Sequence, residues 1–127
     1  ILHAAIEDFA KEKGILRAQV TAVGGVDEGS RLVVGPADGR AEEIEPMVVE
    51  LQDVYEATGT GTLFPGSTGE PVLHMHLSCG RQEECITGCV RSGVKVWHIL
   101  EVVVTELTGS SAERKLDEKT GFELLIP

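Results

Sequence analysis

The chain has 127 residues, of which 42% are hydrophobic and 25% charged, the make-up of one ordinary globular domain. Its 21 acidic and 11 basic residues leave a net charge of −10, which repels phosphate backbones and anionic bilayers, so direct nucleic-acid binding is not expected. No apolar run approaches the roughly 18–20 residues of a membrane span, and an odd set of three cysteines without regular spacing points to a reducing, cytoplasmic setting rather than a disulfide framework.

The opening segment reads as an amphipathic helix. Leu2, Ala5, Ile6, Phe9 and Ala10 share one face, Glu7, Lys11 and Glu12 turn outward, and Gly14 after two lysines is a stop signal. "ILHAAIEDFAKEKG" mixes acids and bases, unlike a signal peptide, and starts inside a helical pattern without methionine, so earlier residues are expected to be missing. His3, on the polar side, is expected in solvent. Next, "ILRAQVTAVGGV" is β-branched and alternating, with Gly24-Gly25 as a bend or bulge. Strand-like runs follow at 31–34, 47–51, 54–64, 71–78, 94–107 and 122–126. The stretches "GPADGRAEEIEP", "PGSTGEP" and "TGSSAERKLDEKTG" between them read as turn-rich links. "GTGTLFPGSTGEP" lacks the Lys-Ser/Thr ending of a phosphate-binding loop and precedes a strand, so it closes one strand at Phe64-Pro65 and reverses the chain over Gly66–Gly69. One helix followed by many strands predicts a single α+β domain over 1–127, the helix packed on a mainly antiparallel sheet that is closed or strongly curled. The run 94–104 is apolar on both faces, Val96/Leu100/Val102 and Trp97/Ile99/Val103. Such a strand needs cover on both sides, which a neighbouring subunit would supply.

The stretch "PVLHMHLSCGRQEECITGC" holds two of the four histidines and all three cysteines. Side chains two apart on a strand point to one face, about 6.5–7 Å apart, so His74 and His76 project together while Leu73, Met75 and Leu77 face apolar packing. If 85–90 returns as the hairpin partner of 71–78, Cys89 comes back beside the histidines. Two imidazoles and a thiolate would then hold a metal with a fourth position open to water or substrate. Zinc suits these donors, and copper and iron also accept them. Cys79 and Cys85 read as ordinary small side chains. His98 alternates in phase with Val96, Leu100 and Val102 and reads as a core histidine, with a reserve role as third ligand.

"GEPVLHMHLSCG", "ITGCVRSGV" and "EVVVTEL" together resemble the plants-and-prokaryotes-conserved domain (PPC or PCC), whose members carry Pro-x-x-His-x-His, a short turn, a Gly-Gly-His step and a long valine-rich strand. The likeness is strongest over 69–107 and extends back through "AQVTAVGGV". The resemblance implies an α+β homotrimer with a metal, usually zinc, in a histidine cluster. His74 and His76 take the place of the family's His-x-His, and Cys89 stands where many members have the third histidine. A thiolate there donates more charge than imidazole and would leave a bound water less acidic. The family's usual opening strand, ahead of the helix, is absent. Plant members are DNA-associated through basic hooks, and no Arg-Gly-Arg hook occurs here. The fold is also similar to that of acetolactate decarboxylase, which implies a polarised carbonyl, a proton donor and a cation for a carboxylate. Arg81 and Arg91 are available cations, and Glu56 and Glu101 available acids. Two expectations follow: a zinc-binding homotrimer acting on a small molecule, or a non-catalytic oligomerisation module that binds a partner.

Overall fold

The computed structural model describes residues 1–127. Helix α1 (Leu2–Lys13) ends at Gly14, whose left-handed φ of 68° lets the next N–H, on Ile15, reach back to the Ala10 carbonyl at 2.9 Å. Its buried stripe is Leu2, Ile6 and Ala10, one residue every four. Ala5 and Phe9 sit outside that stripe and remain exposed. No helix is long and apolar enough to cross a membrane.

The strands are β1 (Ala18–Val26), β2 (Arg31–Pro36), β3 (Pro46–Glu50), β4 (Tyr55–Pro65), β5 (Pro71–Arg81), β6 (Glu84–Cys89) and β7 (Val96–Glu106). They form one seven-stranded sheet in the order β3-β2-β6-β5-β4-β1-β7, antiparallel at every pairing. Two free edges, β3 and β7, make the sheet open; the closed alternative does not occur. Strict alternation sorts the two faces. Ala18, Val20 and Ala22 of β1, Leu63 of β4 and Leu73, Met75, Leu77 and Cys79 of β5 form one core with Leu2, Ile6 and Ala10 of α1. Thr58, Thr60, Thr62, His74, His76 and Ser78 occupy the opposite face. Glycine at 59 and 61 is a requirement of this core: a Cβ on Gly61 would lie 2.5 Å from Met75 Cβ and 2.6 Å from the His74 carbonyl.

Two parts of the chain depart from expectation. The bulge at Gly24-Gly25 is real, but it acts on β7: Gly24 pairs with Leu100 and Gly25 with Trp97, leaving His98 and Ile99 as the extra residues. His98 therefore takes a left-handed φ of 48° and is exposed, not a core histidine. The link "TGSSAERKLDEKTG" contains a strand, β8 (Glu113–Leu116), which pairs with β9 (Glu123–Ile126) in a separate two-stranded sheet. Arg17 ties the approach to this hairpin by donating from Nε to the Ala112 carbonyl at 2.8 Å. A polar tetrapeptide with no alternating pattern carries no strand signal of its own; cross-strand pairing and anchoring to the sheet make it one.

Candidate metal centre

His74 and His76 project from the polar face of β5, their ring centroids 5.3 Å apart and their planes inclined at 78°. The hairpin closes as expected: β6 runs back along β5, and Cys89 lands directly opposite His76. The three donor atoms all lie within 4.8 Å of one another. Tetrahedral zinc with these ligands needs donor separations of roughly 3.3–3.8 Å, about an ångström inside that limit. Gly88 allows the assembly to close. A Cβ there would lie 2.6 Å from the Val33 carbonyl, so glycine lets β2 press against β6 at the turn into Cys89. Cys89 is buried, while both imidazoles are open to a cleft of about 570 Å³.

The cleft has a mixed wall. Arg91, in the short 3₁₀ turn Val90–Ser92, and Arg114 of β8 supply positive charge; Glu7 and Glu123 supply negative. Burial, with Arg114, His76 and Arg91 adding positive charge, holds the His74 imidazole below its ordinary pKa. That keeps His74 neutral at pH 7, the form a metal ligand must have. Glu7 accepts the Leu73 N–H at 2.9 Å, fixing β5 to the helix just ahead of His74. His3 is not simply in solvent: it lines the cleft, and its Nδ1 is buried without a hydrogen-bond partner.

The remaining candidates lie elsewhere. Cys79 is fully buried on the core face, where burial pushes its thiol up to about 11. Cys85 shares the face of Cys89 but sits at the far end of the hairpin, opposite Gly80, and is exposed. His98 packs edge-on against Trp97 at 4.4 Å beside a different cleft. Arg81 is held by Asp53 at 2.6 Å, and Glu56 and Glu101 line clefts that contain none of the three donors. Arg91 alone of the four expected helpers reaches the site. Arg114 and His3 were not foreseeable from spacing, because one lies in a stretch without pattern and the other on the polar side of a helix.

The family model of the Plants and Prokaryotes Conserved (PCC) domain matches residues 1–108. Among solved structures, a metal-containing protein from Archaeoglobus fulgidus superposes with a TM-score of 0.80 at 30% identity, covering 99% of this chain and 85% of that one. A plant- and prokaryote-conserved protein from Pyrococcus horikoshii gives 0.82 at 26% identity, covering 99% and 83%. A protein from Ralstonia eutropha JMP134, 20% identical with a TM-score of 0.73, shares the fold over 99% of this chain and 84% of its own. No curated protein matches the chain.

Proposed function

The chain belongs to the Plants and Prokaryotes Conserved domain family, and from that premise we propose that it binds one zinc ion through His74, His76 and Cys89. The observation that carries this reading is the convergence of three soft donors within 4.8 Å at the mouth of a cleft. The donor set fits the ion: two imidazoles and a thiolate match a borderline-soft cation, and three protein ligands leave a position facing the cleft. A relative at 30% identity is a metal-containing protein. A bound zinc would supply Lewis acidity toward a small molecule in that cleft. The protein's own part is to hold the donors on two rigid paired strands and to charge the cleft wall with Arg91 and Arg114.

The working form we propose is a homotrimer. Strand β7 is an edge with Ile99 71% and Val103 61% exposed, and an apolar edge of this kind calls for cover by another subunit. The same edge favours the second reading, a non-catalytic oligomerisation module in which the ion is structural. Removing metal separates them: a structural ion takes the trimer or the fold with it, and a catalytic one leaves both. A net charge of −10 argues against nucleic acid as the partner.

The test of the site is elemental analysis of untagged protein purified without chelator, beside a His74→Ala/His76→Ala variant. About one zinc per chain, lost in the variant, is the expected result. Protein that carries no transition metal, or a variant that keeps it, would overturn the reading.

A further inference from the structure

Arg114 is 94% buried, and it has no acid to justify it. Nη2 donates to Thr62 Oγ1 at 2.9 Å and toward the Thr62 carbonyl at 3.4 Å, and the Phe64 ring lies 5.8 Å from the guanidinium carbon. Nε is buried with no partner at all. The chain has 21 acidic side chains, yet none comes within 4.0 Å of this guanidinium; all four ion pairs are formed elsewhere. Glu123 acts on it only at longer range. A guanidinium this deeply buried is ordinarily paired with a carboxylate or phosphate, because leaving it alone in low dielectric is costly. Its place explains the exception. Arg114 lines the same cleft as His74, His76 and Cys89, and Thr62, which holds it, is the cross-strand partner of His74.

We propose that Arg114 anchors a carboxylate-binding subsite: the carboxylate of a small organic acid sits on its guanidinium, with the rest of the molecule directed toward His74, His76 and Cys89. The planar fork of arginine matches the two oxygens of a carboxylate, and Arg91 adds positive charge on the same cleft. Glu7 and Glu123 in that cleft repel a second negative charge, which favours a monoanion over a phosphate dianion. The volume, about 570 Å³, suits a small molecule. The hairpin β8–β9 that carries Arg114 lies beyond residues 1–108, so the family match does not itself supply this group. The direction of the ligand rests on the metal reading above; the binding of its carboxylate does not.

The test is calorimetric titration of the full chain, metal-free and zinc-loaded, with sodium propionate and separately with inorganic phosphate, against sodium chloride at equal ionic strength. Wild-type protein should bind propionate in both forms, and Arg114→Met should weaken it at least tenfold while metal content per chain stays unchanged. Arg114→Lys, which keeps the charge without the fork, should weaken it at least threefold and carries the test if the methionine variant does not fold. Urea unfolding supplies a readout that a structural role would move the other way: removing an unpaired buried charge should leave Arg114→Met as stable as wild type or more so. Propionate that fails to bind metal-free wild type, variants that bind it as well as wild type, or phosphate that binds tenfold tighter than propionate would each overturn the subsite. Loss of the metal reading looks different: no zinc in the protein, with propionate binding still dependent on Arg114.

Discussion

Replacing Gly61 with alanine tests the register on which the site depends. The new Cβ would stand 2.5 Å from Met75 Cβ, 2.6 Å from the His74 carbonyl oxygen and 2.7 Å from Met75 Cα. Comfortable carbon–carbon contact begins near ~3.5 Å, so about 1 Å of separation must open between β4 and β5. Two of the three obstacles are backbone atoms and the third is a Cβ, so no side-chain rotation relieves the clash. With three contacts this short the overpacking cost lies at the upper end of its range, ~2–3 kcal/mol, and ~1 kcal/mol from a less flexible unfolded chain offsets it, for a net loss of about 1–2 kcal/mol. In a domain of this size that lowers Tm by roughly 3–8 °C. Gly39→Ala is the matched control, because a Cβ there meets nothing within 4 Å. Urea unfolding of the metal-free proteins reads the loss as a lower midpoint at constant slope. Met75 lies between the two histidines, so zinc affinity should fall as well, by about tenfold. A Gly61→Ala protein within about 0.5 kcal/mol of wild type and with unchanged zinc affinity would refute the close approach of β4 and β5.

Leu63, wholly buried in the core, should cost about 2–4 kcal/mol when truncated to alanine, and a urea midpoint near wild type would show that its side chain is not packed there. In thiol titration at pH 7, Cys85 should react at once and Cys79 only on unfolding, and zinc should protect Cys89; a second fast thiol in zinc-loaded protein would contradict this. His74 titrates below its ordinary value of 6.5 in the folded chain, so between that depressed pKa and 6.5 the unfolded chain binds more protons. Its contribution to metal-free stability is therefore complete above 6.5 and is lost as pH falls through that window, and His74→Ala should flatten this part of the stability–pH curve. Under the proposed trimer, wild type should give three subunit masses by light scattering and Ile99→Asp with Val103→Asp a single one; a variant that keeps the wild-type mass would remove β7 from the interface.

Local pattern was enough for most of this protein. The four-residue spacing of Leu2, Ile6 and Ala10, close to one helical turn, marks the helix, and the alternation of β5 sends Met75 and Leu77 inward and both histidines outward. Because the period of a strand is two, one residue of slip would have reversed the site, so the pairing of His76 with Cys89 follows from burying the apolar face of the hairpin. What pattern cannot express is where distant elements meet. His98 sits in phase with an apolar face, yet a bulge set by the glycines of another strand, 73 residues earlier for Gly25, turns it into solvent. The tetrapeptide at 113–116 has no periodicity to reveal a strand, and Arg114 acquires its burial only when β8 is laid beside β4 and its guanidinium meets Thr62. Periodicity reports how one segment divides its faces between core and solvent; the depth of a charge and the company it keeps depend on contacts between segments, which only the tertiary structure decides.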